Sequence, residues 1–146
     1  MQAWIVVGSQ RNFELLRERG FDVAAFKTSR RKQASEMQPG DRLVFYLTKV
    51  VEFGGVIEVT SSVFEDDSDI GLRSDSKEAE SFPYRVSTKP ILIPDPKDYV
   101  DVREITDLLD KTRNFGPKKL GMAFRGNLHK ISDADYRQIE RLLGDR

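Results

Sequence analysis

The sequence contains no cysteine, which excludes disulfide bridges, thiolate nucleophiles and cysteine-based metal sites. A chain without cysteine fits a reducing compartment, so we expect a cytoplasmic protein. The chain starts without a basic region or a long apolar run, which predicts no signal peptide and no transmembrane helix. With 146 residues and no obvious linker, the chain is expected to form a single domain over residues 1–146.

Catalytic signatures are also scarce. His129 is the only histidine, so a Ser-His-Asp triad has one candidate base, and no nucleophile lies near it in the sequence. We interpret it as a surface or capping histidine near a turn. The chain has no phosphate-binding Gly-x-x-x-x-Gly-Lys loop and no dinucleotide-binding fingerprint. We therefore expect no enzyme activity, no catalytic residue and no cofactor, with a nuclease or hydrolase as the alternative.

The chain has no net charge at neutral pH, because 24 Lys and Arg residues balance 24 Asp and Glu residues. A general polyanion binder is usually basic, so any nucleic-acid binding must use a local patch. Basic residues concentrate in segments 27–32 and 113–119, which can also be ordinary solvated surface. The acidic, serine-rich segment 65–81 predicts an exposed loop. Its Asp-x-Asp spacing lacks a full calcium-loop pattern, so we expect no metal site.

Alternating or continuous apolar residues predict strands at 3–8, 41–48, 53–61 and 84–88, the last resuming at 91–93, with a shorter extended segment at 122–126. Residues 21–26 suggest another short strand or a loop. Adjacent glycines at 54 and 55 suggest a bulge or a close approach to the backbone. About five or six strands that do not alternate regularly with helices favour an α+β fold, with a curved antiparallel or mixed sheet closing into a small barrel.

Helix-start signals place the helices between and after these strands. Ser9 or Asn12 can cap a helix that ends at Gly20. A short helix is expected at 31–36, another after Asp101, and a final one after Ser132. The spacing of the aromatic residues predicts that these side chains lie in the core: Trp4, Phe13, Phe45, Phe124 and Tyr136.

Five segments carry recognisable patterns in a fixed order. They are an aromatic residue with an apolar run at 4–9, an apolar-x-Pro-Gly-Asp-basic segment at 37–46, Gly-Val-x-Glu-Val at 55–59, aromatic-Pro-Tyr-Arg-Val at 82–86, and a C-terminal set at 122–136. Each pattern alone is weak. The ordered set resembles the EVE domains of the PUA-like superfamily, which are related to YTH domains.

That resemblance implies a PUA-like barrel with a concave pocket that holds a base flipped out of a nucleic acid. The family's pocket residues correspond here to Ser9, segment 24–28 and Phe53 with its flanks. Many members carry a tryptophan after the first helix, where this chain has Ala24, Ala25 and Phe26. Two possibilities stay open: Phe26 replaces the tryptophan, or the aromatic cage is incomplete.

A flipped base needs flat surfaces to stack on, hydrogen-bonding groups for its edge, and cations for the flanking phosphates. The candidate base-pocket residues are Ser9, Gln10, Asn12, Phe26, Thr28, Tyr46, Phe53 and Tyr84. The candidate phosphate-binding residues are Lys27, Arg30, Arg31, Lys32, Arg85 and Arg125. Two alternatives stand beside these roles: Ser9 can serve only as a helix cap, and Arg85 can pair with Glu58 across the sheet.

The sequence thus predicts a nucleic-acid-binding module that recognises a modified base in DNA or RNA through an aromatic pocket. The alternative is a non-catalytic pocket for a small nucleoside-like ligand. A homodimer through an edge strand is also compatible with the pattern, and a membrane is not an expected partner. The sequence specifies neither the base nor its modification, and it does not distinguish DNA from RNA.

Overall fold

A curled, mixed β-sheet forms a half-barrel, which is surrounded by short helices. The computed structural model describes residues 1–74 and 81–144. The strands are β1 (Ala3–Gly8), β2 (Val23–Phe26), β3 (Arg42–Leu47), β4 (Glu52–Val59), β5 (Phe64–Glu65), β6 (Tyr84–Leu92), β7 (Val100–Asp101) and β8 (Leu128–Ile131). The helices are α1 (Gln10–Glu18), α2 (Arg31–Ser35), α3 (Asp110–Arg113), α4 (Leu120–Ala123) and α5 (Asp133–Gly144). This architecture confirms the predicted α+β class with a curved mixed sheet.

The strand order explains how the sheet curls. The strands follow the order β2-β6-β4-β3-β1-β8, while β5 pairs with β6 and β7 pairs with β4. Strands β1 and β3 are parallel, and the other pairs are antiparallel. Although three strands separate β1 from β2 in this order, both strands line the same cavity, so the sheet folds back on itself.

The central strands β1, β3 and β4 each contribute to two hydrophobic cores because successive side chains point to opposite faces of a sheet. Along β3, Leu43, Phe45 and Leu47 enter one core, which we call the first core. Val44 and Tyr46 enter the other, the second core. The predicted core aromatic residues confirm this division: Trp4, Phe13 and Phe45 are buried in the first core, and Phe124 and Tyr136 are buried in the second.

The paired glycines on β4 mark both a bulge and a close approach, as the sequence suggested. The β3–β4 register shifts between Phe45 and Tyr46, opposite Gly55 and Phe53, so Gly54 is the additional residue. A Cβ atom on Gly54 would lie 2.9 Å from the Leu47 Cδ1 atom and 3.0 Å from the Phe13 ring. These contacts require glycine because the side chains of the first core pack directly on the backbone.

Several local predictions are correct. Residues 23–26 form a strand, and residues 31–35 form a helix. The Asn12 amide N donates to Ser9 Oγ at 3.1 Å, so Ser9 is the N-cap of α1. The Asp135 amide N likewise donates to Ser132 Oγ at 3.1 Å at the start of α5.

Two local predictions are wrong. Residues 120–123 form helix α4, where the apolar pattern at 122–126 predicted an extended segment. The predicted helix after Asp101 consists instead of two 3₁₀ turns, Val102–Glu104 and Thr106–Leu108. Asp101 caps the first turn by accepting from the Arg103 amide N. Ile105, with a φ of −125° and a ψ of 16°, separates the two turns.

Segment 65–81 is partly described. Residues 66–69 are exposed, as predicted for a loop, and residues 75–80 lie outside the described residues. Among residues 1–74 and 81–144, no group of acidic or histidine side chains is arranged to hold a metal ion. In the same part of the chain, no helix is both long enough and apolar enough to cross a bilayer.

Candidate functional site

A cavity of about 410 Å³ opens between the carboxyl ends of β1 and β2. Its floor and walls are largely apolar and come from the first core, including Val6, Phe13, Phe26 and Phe45. This volume lies within the range of about 300–1,000 Å³ that is typical of small-ligand sites.

The turn from β1 to α1 forms one side of the mouth of this cavity. Strand β1 ends at Gly8, whose carbonyl oxygen accepts from the Thr48 amide N at 2.9 Å and from Thr48 Oγ1 at 3.3 Å. Ser9 follows and caps α1, so its oxygen lines the mouth while its hydroxyl hydrogen remains available to donate. The capping role and a ligand contact are therefore compatible at Ser9.

A second side is formed by Leu72, Arg73 and Ser74, which belong to residues 69–74, here called the wall segment. The Asn12 side chain holds this segment by two hydrogen bonds: Nδ2 donates to the Arg73 carbonyl at 2.7 Å, and Oδ1 accepts from the Arg73 amide N at 3.1 Å. Leu72 is buried in the first core and faces the cavity. Because both ends of its amide are engaged with Arg73, Asn12 positions the wall segment at the cavity.

The wall segment carries its own ion pair. The Arg73 guanidinium donates to both carboxylate oxygens of Asp69, at 2.9 Å and 3.0 Å. This pairing lowers the pKa of Asp69 to about 2. The charge of Arg73, which lines the cavity, is therefore compensated by an aspartate of the same segment.

Two cations occupy the opposite side of the cavity. Lys27 follows β2, and its Nζ lies 5.8 Å from the centroid of the Phe82 ring. Arg30 ends the 3₁₀ turn Thr28–Arg30 and lines the cavity near Gly126 and Asn127. One aromatic side chain and these two positively charged side chains thus line the same cavity.

His129 lies in β8, paired with Ile5 of β1, and not in a turn as the sequence suggested. Its Nδ1 is 3.2 Å from the Lys111 Nζ. Burial lowers the pKa of His129, and the charges of Lys111 and Arg30 lower it further. Burial also lowers the pKa of Lys111. Within the described residues, the His129 ring contacts the Lys111 amino group and, edge-on, the Phe124 ring.

Three of the predicted base-pocket residues line the cavity: Ser9, Asn12 and Phe26. Gln10 and Thr28 are exposed and lie outside the lining. Tyr84 is half-buried on β6, with the Arg31 guanidinium 5.8 Å from its ring centroid, and it does not line the cavity either.

The placement of Tyr46 and Phe53 corrects the sequence prediction. Both side chains are buried in the second core, on the other side of the sheet from the cavity. The Tyr46 ring stacks on Phe124 with centroids 4.2 Å apart, and Phe53 contacts Tyr46 edge-on at 6.1 Å. The bulge at Gly54 sets the orientation of Phe53, because the additional residue interrupts the alternation of side chains along β4. Tyr46 follows the regular alternation of β3 and enters the second core with Val44.

The predicted phosphate-binding residues also divide. Lys27 and Arg30 line the cavity, whereas Arg31, Lys32 and Arg125 are exposed outside its lining. Arg85 is a further correction, because its side chain is only 4% exposed. Its guanidinium donates to the Phe82 carbonyl at 3.0 Å and to Ser68 Oγ at 3.1 Å, contacts the Ser68 carbonyl, and pairs with Asp66 at 3.5 Å.

The alternative partner of Arg85 is excluded as well. Glu58 pairs with Arg42 across β3 and β4, and with Lys89 at 3.3 Å. Arg85 therefore connects the acidic loop to β6. Its guanidinium is buried in these contacts and is not exposed on the surface.

Sequence reasoning missed several lining residues: Thr48, Leu72, Arg73, Phe82 and Asn127. Phe82 had a signal, because it opens the aromatic-Pro-Tyr-Arg-Val pattern. Asn127 and the wall segment had none, since their position depends on contacts between residues far apart in the chain, such as that of Asn12 with Arg73.

This chain is similar to known proteins over nearly its whole length. The family model described as the EVE domain matches residues 2–142. A UPF0310 protein of Pyrococcus horikoshii is 28% identical over 98% of this chain and 99% of its own length.

Solved structures share the fold. The NMR structure of the protein Rpa0253 from Rhodopseudomonas palustris has a TM-score of 0.65 at 15% identity, and the match covers 99% of this chain and 94% of that one. The YTH domain of the Zygosaccharomyces rouxii MRB1 protein, solved in complex with N6-methyladenosine RNA, has a TM-score of 0.69 at 16% identity. That match covers 97% of this chain and 86% of the YTH domain.

Proposed function

Since this chain belongs to the EVE domain family, we propose that it is a nucleic-acid-binding module whose cavity holds a modified base flipped out of a DNA or RNA strand. The observation that carries this proposal is the cavity itself: apolar walls, an aromatic rim and two cations meet at one opening between β1 and β2.

The chemistry of the lining matches the needs of a flipped base. Phe26 and Phe82 offer surfaces for stacking, an interaction worth about 1–3 kcal/mol per base. The Ser9 hydroxyl and the Asn127 side chain offer hydrogen bonds for a base edge. Lys27 and Arg30 stand where flanking phosphates would approach, and Arg31 and Lys32 continue the basic surface outward.

The Zygosaccharomyces rouxii YTH domain, which shares this fold, was solved with N6-methyladenosine RNA. That complex supports the idea that a half-barrel of this kind accommodates a modified base. In this chain the segment after α1 provides Ala24, Ala25 and Phe26 to the cavity, and we propose that Phe26 supplies the stacking surface.

We propose that the protein binds without catalysis. His129, the only histidine, has its Nδ1 atom 3.2 Å from the Lys111 amino group, so the described groups that it contacts offer no hydroxyl nucleophile for it to activate. We further propose that it acts in the cytoplasm. A homodimer would use β2 or β8, the terminal strands of the described sheet.

Free nucleoside-like ligands are the second candidate, because a concave cavity of this volume can enclose a small molecule without a strand. The two functions differ in the contribution of the flanking phosphates. Equal stabilisation by nucleosides and by oligonucleotides would favour the second candidate.

Fluorescence anisotropy with labelled oligonucleotides tests the first proposal. Unmodified, cytosine-methylated, hydroxymethylated and adenine-methylated strands are compared at two salt concentrations. We expect tighter binding to one modified strand, and a loss of that preference in Phe26→Leu and Phe82→Ala. Phe64→Ala is the matched control, because Phe64 is an exposed phenylalanine outside the cavity. Binding that is blind to every modification, or equally weakened in the control, would contradict the proposal.

A further inference from the structure

Arg30 is a cation of this site that lacks a charge partner in the part of the chain that the structure describes. Its side chain is half-buried in the cavity wall, and its Nε is buried and has no hydrogen-bond partner among the described residues. Within residues 1–74 and 81–144, no carboxylate pairs with it, whereas Arg73 and Arg85 each pair with an aspartate.

An unpaired, half-buried guanidinium is costly. Arginine keeps its charge at any ordinary pH, and withdrawing a charge from water without a compensating partner destabilises the fold. A second cation, Lys111, adds to the positive potential around Arg30. Both lie close enough to His129 that the charges of Lys111 and Arg30 each lower the pKa of that histidine. The partner that fits this position is an anion.

The glycine turn at Gly126 leaves room for the Arg30 guanidinium beside the backbone. Gly126 has a φ of +92°, and a Cβ atom at that position would lie 2.9 Å from the Arg30 Nη2. The next residue, Asn127, lines the cavity and accepts the Val7 amide through its carbonyl, which fixes it to β1. The guanidinium therefore packs against a fixed turn at the edge of the cavity.

We infer that Arg30 binds the phosphate of the same nucleotide whose base occupies the cavity, so that the unit recognised is a nucleoside monophosphate and not a bare base. This inference rests on the proposed function, which it extends by naming the ligand class. The planar fork of arginine can donate two parallel hydrogen bonds to phosphate oxygens. Lys27 on the same rim is a point charge that adds attraction without that geometry.

Isothermal titration calorimetry with two matched ligand series tests the inference on the full chain. One series is built on N6-methyladenosine and the other on 5-methylcytidine. Each series contains the nucleoside, the 5′-monophosphate, the 3′-monophosphate and a dinucleotide that carries the same base. We expect at least one monophosphate to bind about tenfold to a hundredfold more tightly than its nucleoside, as charge-assisted hydrogen bonds would give. The preferred ester position shows which phosphate Arg30 contacts, and the dinucleotide shows whether a diester suffices.

Three variants separate the role of Arg30 from general charge. Arg30→Gln should bind nucleoside and monophosphate equally, and Arg30→Lys should restore part of the preference. Arg137→Gln, an exposed arginine on α5 outside the lining, should keep the wild-type preference. Circular dichroism and thermal melts confirm that each variant is folded before titration.

The outcomes distinguish this inference from the proposed function. If modified oligonucleotides bind through Phe26 but Arg30→Gln changes nothing, or no monophosphate exceeds its nucleoside, the role of Arg30 is wrong and the base pocket stands. If neither oligonucleotides nor mononucleotides bind, both are wrong.

Discussion

The contact between Asn12 and the wall segment leads to a quantitative prediction. Asn12→Ala removes two hydrogen bonds to the backbone of Arg73, both at normal lengths of 2.7 Å and 3.1 Å. Each is worth about 1 kcal/mol net, so the loss is about 2 kcal/mol. Alanine is the better helix former by up to about 0.7 kcal/mol, which offsets part of this loss. The free energy of unfolding should therefore fall by about 1.5 kcal/mol, and Tm by about 3–6 °C.

Urea denaturation and thermal melts measure this loss, with Asn114→Ala as the control because Asn114 is an exposed asparagine at the end of α3. Hydrogen exchange should show faster exchange of the Arg73 amide. Asn12→Asp should lie between wild type and alanine, because a carboxylate can accept from the Arg73 amide but cannot donate to its carbonyl. A stability within 0.5 kcal/mol of the control, a threshold set by ordinary surface substitutions, would refute the role of Asn12 as an anchor.

Three further predictions concern Arg85, Gly54 and Asp69. Arg85→Met should destabilise the fold by about 2 kcal/mol in urea denaturation, since the hydrogen bonds of a buried guanidinium to the Phe82 carbonyl and to Ser68 are lost, whereas Arg137→Met should change little. Gly54→Ala should cost about 1–3 kcal/mol through overpacking, whereas Gly121→Ala, with open space around its Cα, should be tolerated. Because the pKa of Asp69 is lowered to about 2, the stability from its ion pair is complete above the unfolded pKa near 4 and is lost as the pH falls towards 2. Asp69→Asn should abolish that part of the acid transition in a pH series of thermal melts.

The fold was predictable to the extent that local signals governed it. The strands β1, β3 and β4 carry alternating or continuous apolar residues, and Ser9 and Ser132 cap their helices as their patterns indicate. Helix α4 was missed because its four residues are too few to show a helical period. The capping of α3 by Asp135, whose carboxylate accepts from the Asp110 and Lys111 amides at 2.8 Å and 2.9 Å, spans 25 residues and leaves no local signature.

The site was predictable only where the chain itself brings residues together. Ser9 and Asn12 flank one turn, and Phe26, Lys27 and Arg30 follow one strand, so proximity in sequence placed them correctly. Phe53 was misplaced because a single additional residue at the bulge decides which side of the sheet it occupies. Tyr46 was misplaced although the alternation along β3 puts it on the opposite face from Phe45, which lines the cavity. Arg85 was misplaced because its partners, at 66 and 68, belong to a loop whose path the sequence does not specify.

The central claim, that the cavity between β1 and β2 holds a modified base, is tested most directly by NMR. Amide spectra of the ¹⁵N-labelled protein are recorded during titration with two oligonucleotides that differ only in the modification of one base. The account predicts that the modified strand shifts the amides of Gly8, Ser9 and residues 24–26, and leaves Tyr46 and Phe53 in place. Shifts that are identical for both strands, or confined to the exposed residues Arg31 and Lys32, would contradict it.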